Sequence, residues 1–314
     1  MKQEQNALSI LIPTYNYCCL SLVESLHAQA TAQDGLSFEI LVADDGSTDA
    51  ATVTANRAIN LLSDCRYIER DVNVGRAAIR NFLAQQSRYP LLLFMDSDMV
   101  VPDGDFLTRY LAVAHEPVVD GGVCIRGDVR SLHHNLRFRY EKRSEEQHTA
   151  ARRARTPYAH FHTANFMVHR DVMLAHPFDL RFRHYGYEDV LFGKTMQQHG
   201  IRIVHLDNPL SFEVYETNAE FVAKTEEALR TLFTFSHELR GYNSLLSLSD
   251  LLHRFHLHAP VRVFHRLFGP LLRRQLCGAR PCLCFFNLYK LGYFVNLHFL
   301  GFSVQRTCDE WNEK

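Results

Sequence analysis

The sequence predicts an α/β protein, with a mostly parallel central sheet flanked by helices and a helical C-terminal appendage. Three observations carry this. Over the first 125 residues, short apolar runs alternate with amphipathic stretches of helix length, the pattern of parallel strands joined by crossover helices. Each of the first four apolar runs ends in a polar cluster. From Tyr242 onward the pattern changes to Leu and Phe at helical spacing, interleaved with Arg and His. At 314 residues, 46% of them hydrophobic, the chain can bury one large core and a smaller appendage. The expected division is 1–240 and 241–314.

Strands are expected at 8–12, 39–43, 65–69 and 90–95. Their trailing clusters are Pro13-Thr14-Tyr15-Asn16, Asp44-Asp45-Gly46-Ser47, Asp71-Val72-Asn73-Val74-Gly75 and Asp96-Ser97-Asp98. In open parallel sheets the ligand crevice lies beyond the carboxyl ends of the strands, so these four clusters should converge on one site. Pro102 and Asp103 then open a helix to about residue 115, and 118–125 reads as another strand. The stretch 126–155 carries nine Lys or Arg against four Asp or Glu and few apolar anchors. It reads as a mobile helix or loop, able to close over phosphates or meet an anionic acceptor. Regular structure resumes at 158–168, followed by a short helix from near Asp171, a helix from Tyr187 stopped by Gly200, a strand at 201–206 and a helix near 219–235.

Over 250–300, seven Lys or Arg stand against one acid, with Leu and Phe between them. A basic face beside a Leu/Phe face suits a helix lying in an anionic membrane interface, so peripheral contact through 242–304 is one expectation. An ordinary helical subdomain covering a sheet edge is the other. The apolar run 282–304 is interrupted by Asn287, Lys290, Asn296 and His298, which argues against a membrane span.

A formal charge of -1 and a pI near 7.0 give no global attraction to nucleic acid, and no nucleic-acid partner is expected. The N-terminal segment has no apolar stretch of signal-peptide length, so the expected location is cytoplasmic, if anything peripheral on the inner face of the membrane. Eight cysteines without regular spacing read as reduced thiols, and Cys277, Cys282 and Cys284 lack the two CxxC pairs of a zinc site.

Three motifs carry chemistry. Asp96 and Asp98, delivered one residue apart by an apolar strand, offer the hard oxygen ligands that suit Mg2+ or Mn2+ shared with substrate phosphates. Acidic pairs at strand ends also arise as helix caps and solvated loops. Asp44 and Asp45, with Gly46 permitting a tight turn, can accept hydrogen bonds from a base or ribose; the alternative is a helix start capped by Ser47 or Thr48. Asn73, Gly75, Arg80 and Asn81 sit where a helix N-terminus should face the crevice. There Arg80 can meet base, ribose or phosphate, or simply pair with Asp44 or Asp45.

Together these motifs resemble glycosyltransferase family two, whose members are inverting enzymes with the A-type nucleotide-diphospho-sugar transferase fold. The likeness spans roughly residues 7–235. It implies a donor-binding set of Pro13, Thr14, Tyr15, Asp45, Asn73, Gly75, Arg80 and Asp96, with Asp96 and Asp98 holding Mn2+ or Mg2+. Tyr185-Gly186-Tyr187-Glu188-Asp189 is similar to the family's acceptor-side acidic motif, making Asp189 the implied base and Glu188 its alternate or an acceptor ligand. A charged pair stabilising a helix N-terminus is the competing reading. His162-Thr163-Ala164-Asn165-Phe166 resembles the segment lining the sugar pocket, where Asn165 can bind donor hydroxyls; a polar strand-edge residue competes. One position departs from the pattern. Phe212 stands where many related enzymes carry a metal-ligating His, leaving His205 and Glu213 as substitutes, although His205 sits in an apolar run and reads as a packed histidine.

The implied reaction moves a sugar from a nucleotide-diphosphate donor, uridine diphosphate on family likeness alone, to a saccharide or lipid-linked acceptor in surface polysaccharide or glycolipid synthesis. Two rivals are a non-catalytic nucleotide-sugar-binding protein, suggested by Phe212, and a nucleotidyltransferase. The latter needs a Gly-rich basic loop after the first strand, which Pro13-Thr14-Tyr15-Asn16 does not supply.

Overall fold

A computed structural model describes residues 7–298 except 103 and 213. In chain order the strands are β1 (Ala7–Thr14), β2 (Ser37–Asp44), β3 (Cys65–Glu69), β4 (Leu91–Met95), β5 (Met99–Val100), β6 (Val118–Asp120), β7 (Val123–Cys124), β8 (Asn165–His169), β9 (Ile203–His205) and β10 (Leu210–Phe212). The helices are α1 (Leu20–Thr31), α2 (Ala50–Asn56), α3 (Arg76–Gln86), α4 (Phe106–Ala112), α5 (Leu136–Ser144), α6 (Ala150–Arg153), α7 (Arg170–Ala175), α8 (Glu188–Gln198), α9 (Asn218–Thr234), α10 (Ser244–Arg254), α11 (His258–Leu276) and α12 (Leu283–Leu297).

The chain divides into two compact units that are not consecutive in sequence. The first runs to Arg126 and resumes over Ser144–Arg183 and Glu188–Val214; the second comprises Gly127–Arg143, His184–Tyr187 and the chain from Tyr215. The expected division at 240/241 differs from this one, because 127–143 and α9 belong with the C-terminal helices.

The first unit holds a seven-stranded sheet in the order β3-β2-β1-β4-β8-β6-β9. All pairings are parallel except those of β8, which runs antiparallel to both β4 and β6. Strand order reverses between β1 and β4, the kind of switch point that opens a crevice beyond the strand ends. β4, Leu-Leu-Leu-Phe-Met, is buried along its whole length, as a strand covered on both faces must be. A small second sheet, β5-β10-β7, lies in the same unit.

The two apolar-rich inner strands carry a buried polar node. Ser9 Oγ donates to Glu39 Oε1 (2.6 Å), and Glu39 accepts from the Arg88 backbone N–H (2.6 Å) and Arg88 Nε (2.9 Å). This pins the turn that leads into β4, so Glu39→Ala should lower stability by about 2–4 kcal/mol, because the buried Ser9 hydroxyl and the Arg88 N–H lose their acceptor together. Urea unfolding at neutral pH measures it, and a change below about 0.5 kcal/mol would reject the node as a structural element.

Three expectations need correction. The strand expected over 118–125 is split into β6 and β7, which belong to different sheets, by Gly121 and Gly122. A Cβ on Gly121 would collide with the Tyr110 hydroxyl and the Asn165 amide, and Gly122, at φ 80°, lies against the Arg153 guanidinium. The corner therefore admits only glycine. The 126–155 stretch, expected as a mobile helix or loop with few anchors, is helical from Leu136, with α5 anchored by buried Leu136 and Phe138 and capped by Asn135 Oδ1, which accepts from the Phe138 N–H (2.8 Å). The helix expected from Pro102 starts instead at Phe106; Asp103 lies outside the described residues.

In the second unit, α9 opens with a capping box in which Thr217 and Glu220 satisfy each other's backbone N–H. Leu136, Val222, Leu272, Leu276, Phe286 and Tyr289 form its core.

Candidate active site

The chain ends of β1 and β2 are locked together. Asn16, in a left-handed conformation (φ 50°), accepts through Oδ1 from the N–H groups of Thr48 (2.8 Å) and Asp49 (3.0 Å), while its own N–H donates to Ser47 Oγ (2.7 Å). Asp49, not Ser47 or Thr48, caps α2: its carboxylate accepts from the Ala51 N–H and from the Thr52 hydroxyl (2.6 Å), which holds its pKa below the ordinary range. Thr14 is buried and donates its hydroxyl to the Tyr17 carbonyl (2.9 Å). Pro13 is partly buried beside it, and Tyr15 is presented outward, 47% exposed.

Asp45 is the hinge between the second and third clusters. Its two carboxylate oxygens accept from the N–H groups of Val74 (2.9 Å) and Gly75 (3.0 Å), fixing the backbone that leads into α3. Asn73 Oδ1 accepts from the same Gly75 N–H (3.1 Å). Burial raises the Asp45 carboxyl against those two hydrogen bonds, which favour the charged form. Gly46 (φ 74°) and Gly75 (φ 88°) sit so close to main chain that a Cβ would lie 2.7 Å from the Asn73 nitrogen and 2.7 Å from the Arg183 carbonyl oxygen, respectively. Asp44 is also engaged, accepting from the Ser47 N–H (2.7 Å) and from the Tyr67 hydroxyl.

Arg80 does not pair with Asp44 or Asp45, and at 1% exposure it is not presented to a ligand. It lies between the two acidic motifs instead. One guanidinium nitrogen donates to Asp96 Oδ1 (2.5 Å), and another lies 3.5 Å from Glu188 Oε1. Arg76 repeats the pattern at the rim, 3.3 Å from Asp96 Oδ2 and 3.9 Å from Glu188 Oε1. The carboxylate ending β4 and the one opening α8 are thus joined through two arginines. Asn81, one residue on, clamps the Phe178 backbone through both its amide atoms (2.8 and 2.9 Å).

Next to Glu188, Asp189 accepts from the Val190 N–H (2.7 Å). Burial and then the Glu188 charge push its carboxyl up to about 6, with the His162 charge opposing. His162 belongs to a cluster that was not foreseen. Asp120, fully buried at the end of β6, accepts from the Gly122 N–H (2.8 Å), the His162 N–H (3.3 Å) and Arg153 (3.1 Å). The Nδ1 atoms of His205 and His162 lie 3.3 and 3.6 Å from its Oδ2. Burial alone would raise the Asp120 carboxyl, but the two imidazoles and Arg153 outweigh it and hold it well below the usual carboxylate range. For His162, burial opposes the charge, yet Asp120 and Asp189 raise its pKa. Arg153, which also donates to the Leu206 carbonyl (2.9 Å), is therefore buried structure and not part of a phosphate-facing basic surface. The signal for Asp120 was the same as for Asp44 and Asp96, an acid ending an apolar run.

Two further residues move to structural positions. Asn165 is 0% exposed, its amide donating to the Gly122 and Asn208 carbonyls (2.8 and 2.9 Å) while its oxygen accepts from Tyr110 (2.7 Å), so no part of it is left to hold a sugar hydroxyl. His205, offered as a substitute metal ligand, is held between Asp120 and the Pro157 carbonyl (3.0 Å). Phe212 stands on β10 directly opposite Met99, the neighbour of Asp98. Glu213 lies outside the described residues.

For a divalent cation, Asp96 and Asp98 supply oxygen ligands of the right chemistry at a strand end. No group of three or more His, Cys, Asp or Glu side chains able to hold a metal occurs among the described residues. Two carboxylates completed by substrate phosphates fit such an ion; a cage made by this chain alone does not.

The profile of Glycosyl transferase family 2 matches residues 9–174, more than half of the sequence. The chain belongs to this family. Among curated relatives, Validoxylamine A glucosyltransferase from Streptomyces hygroscopicus subsp. jinggangensis is 28% identical over 224 residues, 62% of this chain and 52% of that protein. A teichoic acid poly(glycerol phosphate) polymerase of Staphylococcus epidermidis is 32% identical over 96 residues, 30% of this chain and 13% of that one. The chain thus spans about half the length of the first of these relatives and far less of the second. Among solved structures, a mannosyltransferase from Pyrobaculum calidifontis in complex with GDP-Man and Mn2+ superposes with a TM-score of 0.55 at 15% identity, over 92% of this chain and 86% of that one. That likeness is one of fold: the A-type glycosyltransferase fold, with family 2 motifs at its strand ends.

Proposed function

We propose that this family 2 chain is an inverting, metal-dependent glycosyltransferase that moves a hexosyl or N-acetylhexosaminyl group from a nucleotide-diphosphate sugar to a saccharide or lipid-linked acceptor in surface polysaccharide or glycolipid synthesis. The observation that carries the reading is the buried Arg80, which ties Asp96 to Glu188 and so brings the two acidic motifs into one electrostatic unit with Asp189 beside them. Tyr15, exposed past β1, is the surface on which the base stacks. Asp45 acts through the Val74–Gly75 backbone, shaping the nucleoside pocket from behind. Arg76 and Arg80 hold the Asp96 carboxylate in place.

Asp96 and Asp98 hold Mn2+ or Mg2+, which when bound supplies positive charge to the departing diphosphate. The acceptor oxygen bonds to the anomeric carbon as the bond from that carbon to the diphosphate oxygen breaks, and the electron pair leaves with the diphosphate. The hydroxyl proton passes to Asp189, whose raised pKa suits it to accept one near neutrality. Attack opposite the leaving group inverts the anomeric centre.

A thermal-shift screen of UDP- and GDP-sugars with Mn2+ tests the donor half. One nucleotide series should raise Tm by several degrees at saturation, since about 2.7 kcal/mol follows from a ligand at 100 times its Kd. Asp98→Ala should abolish the metal-dependent part. No shift with any nucleotide sugar would sink the assignment and favour a non-catalytic role.

A further inference from the structure

The C-terminal helices carry an outward surface that the transfer chemistry does not use. In α11 one face is consumed by packing: His265, Gly269, Leu272 and Leu276 are buried, and a Cβ on Gly292 of α12 would lie 2.6 Å from the His265 ring. The opposite face of the same helix is apolar too. Val263, Leu267 and Leu271 recur at four-residue spacing and are 57, 65 and 62% exposed, with Phe268 alongside at 46%. At the end of α10, Leu251 and Phe255 are likewise 49 and 62% exposed. Monomeric soluble surfaces rarely expose large apolar side chains in so concentrated a group.

Charge says what covers it. From 251 to 298 the sequence contains seven Lys or Arg and no Asp or Glu. Arg254, Arg266 and Arg274 are exposed on the same two helices as the stripe. No helix among the described residues is long and apolar enough to cross a membrane. Exposed Leu and Phe flanked by arginines, with Asp250 the one carboxylate on α10 and α11 and that one paired to Arg240 (3.3 Å), are the combination that lies flat in an anionic headgroup layer. A second copy of this chain fits less well, because a two-fold contact would set the same arginines against each other.

From these features we infer that α10 and α11 form a peripheral docking surface for anionic phospholipid bilayers, with the Val263–Leu267–Leu271 stripe inserted among acyl chains and Arg266 and Arg274 on lipid phosphates. This surface stands independently of the donor and base assignments.

The test is co-sedimentation of the full chain with vesicles of phosphatidylcholine alone or with 30% phosphatidylglycerol, alongside a Leu267→Glu/Leu271→Glu variant. Both leucines are largely exposed, so the variant should fold, which circular dichroism and Tm verify. The parent should bind the anionic vesicles at least about tenfold more tightly than the neutral ones, with affinity falling as salt rises, and the variant should lose about tenfold or more on anionic vesicles. Arg266→Glu/Arg274→Glu should weaken binding to anionic vesicles only. Equal sedimentation of parent and double-leucine variant overturns the inference, as does absence of binding to either vesicle. So does a concentration-dependent dimer, lost in the leucine variant and indifferent to lipid, which would assign the stripe to a second copy.

Discussion

Asp189→Asn should reduce kcat by about 10^3-fold while leaving the nucleotide-dependent rise in Tm intact, because the amide keeps the side-chain shape but takes no proton. In the parent, kcat/KM should climb with pH and level off above about 6, the value to which burial and Glu188 push the Asp189 carboxyl. The stability consequence has the opposite sign. A carboxyl whose folded-state pKa lies above its ordinary 3.8 holds its proton more tightly when folded, so the native state is penalised once the group ionises, and the penalty is relieved as pH falls below about 6. The Asn variant should therefore be more stable than the parent at pH 7.5, by on the order of 1 to 3 kcal/mol, and nearly equal to it at pH 4. A variant that retains a tenth of parental turnover would remove Asp189 as the base, and equal melting temperatures at pH 7.5 would show that its ionisation is not opposed by the fold.

The largest effect on stability is expected at Arg153→Ala, with a loss of about 3–5 kcal/mol, since it strips the buried Asp120 carboxylate of its cation and leaves the Leu206 carbonyl without its donor. Urea unfolding at pH 7 reads this directly. An exposed neighbour such as Arg152→Ala should change little, and equal small effects of the two would mean that Asp120 is satisfied without Arg153. The pH dependence of the cluster has two arms. Asp120, held below its ordinary range, contributes stability that is present at neutral pH and lost as acid titrates it below 3.8. His162 is raised above 6.5, so its contribution is complete below that value and fades as pH climbs through the folded-state pKa.

Much of this was legible in sequence wherever the determinant was local. The run Cys-Arg-Tyr-Ile-Glu was expected as a strand at 65–69 and forms β3 with those bounds, since alternation and flanking turn residues suffice. The polar clusters after β1, β2 and β4 mark strand ends for the same reason. What escaped was set by distant partners. Nothing near Gly121 announces that the Tyr110 hydroxyl and the Asn165 amide will press against it, so the corner between β6 and β7 looked like continuous strand. The 126–155 stretch seemed unanchored because what anchors Asn135 and Arg137 is Glu216, far along the chain. For Arg80 the sequence offered Asp44 or Asp45 as partners, yet the carboxylates it meets arrive with β4 and α8, and Asn165, polar at a strand start, gave no hint that Tyr110 and Asn208 would occupy its amide.

The close approach of Gly46 to the Val72–Asn73 backbone, and of Gly75 to Arg183, has a consequence for how such a loop can diverge. Each glycine meets main chain, which no neighbouring codon change can shorten, so a substitution at either position has no single-site compensator. Positions 46 and 75 should accordingly remain glycine among the functional members of mutational libraries however strong the selection, and new donor preferences should be acquired through projecting side chains such as Tyr15.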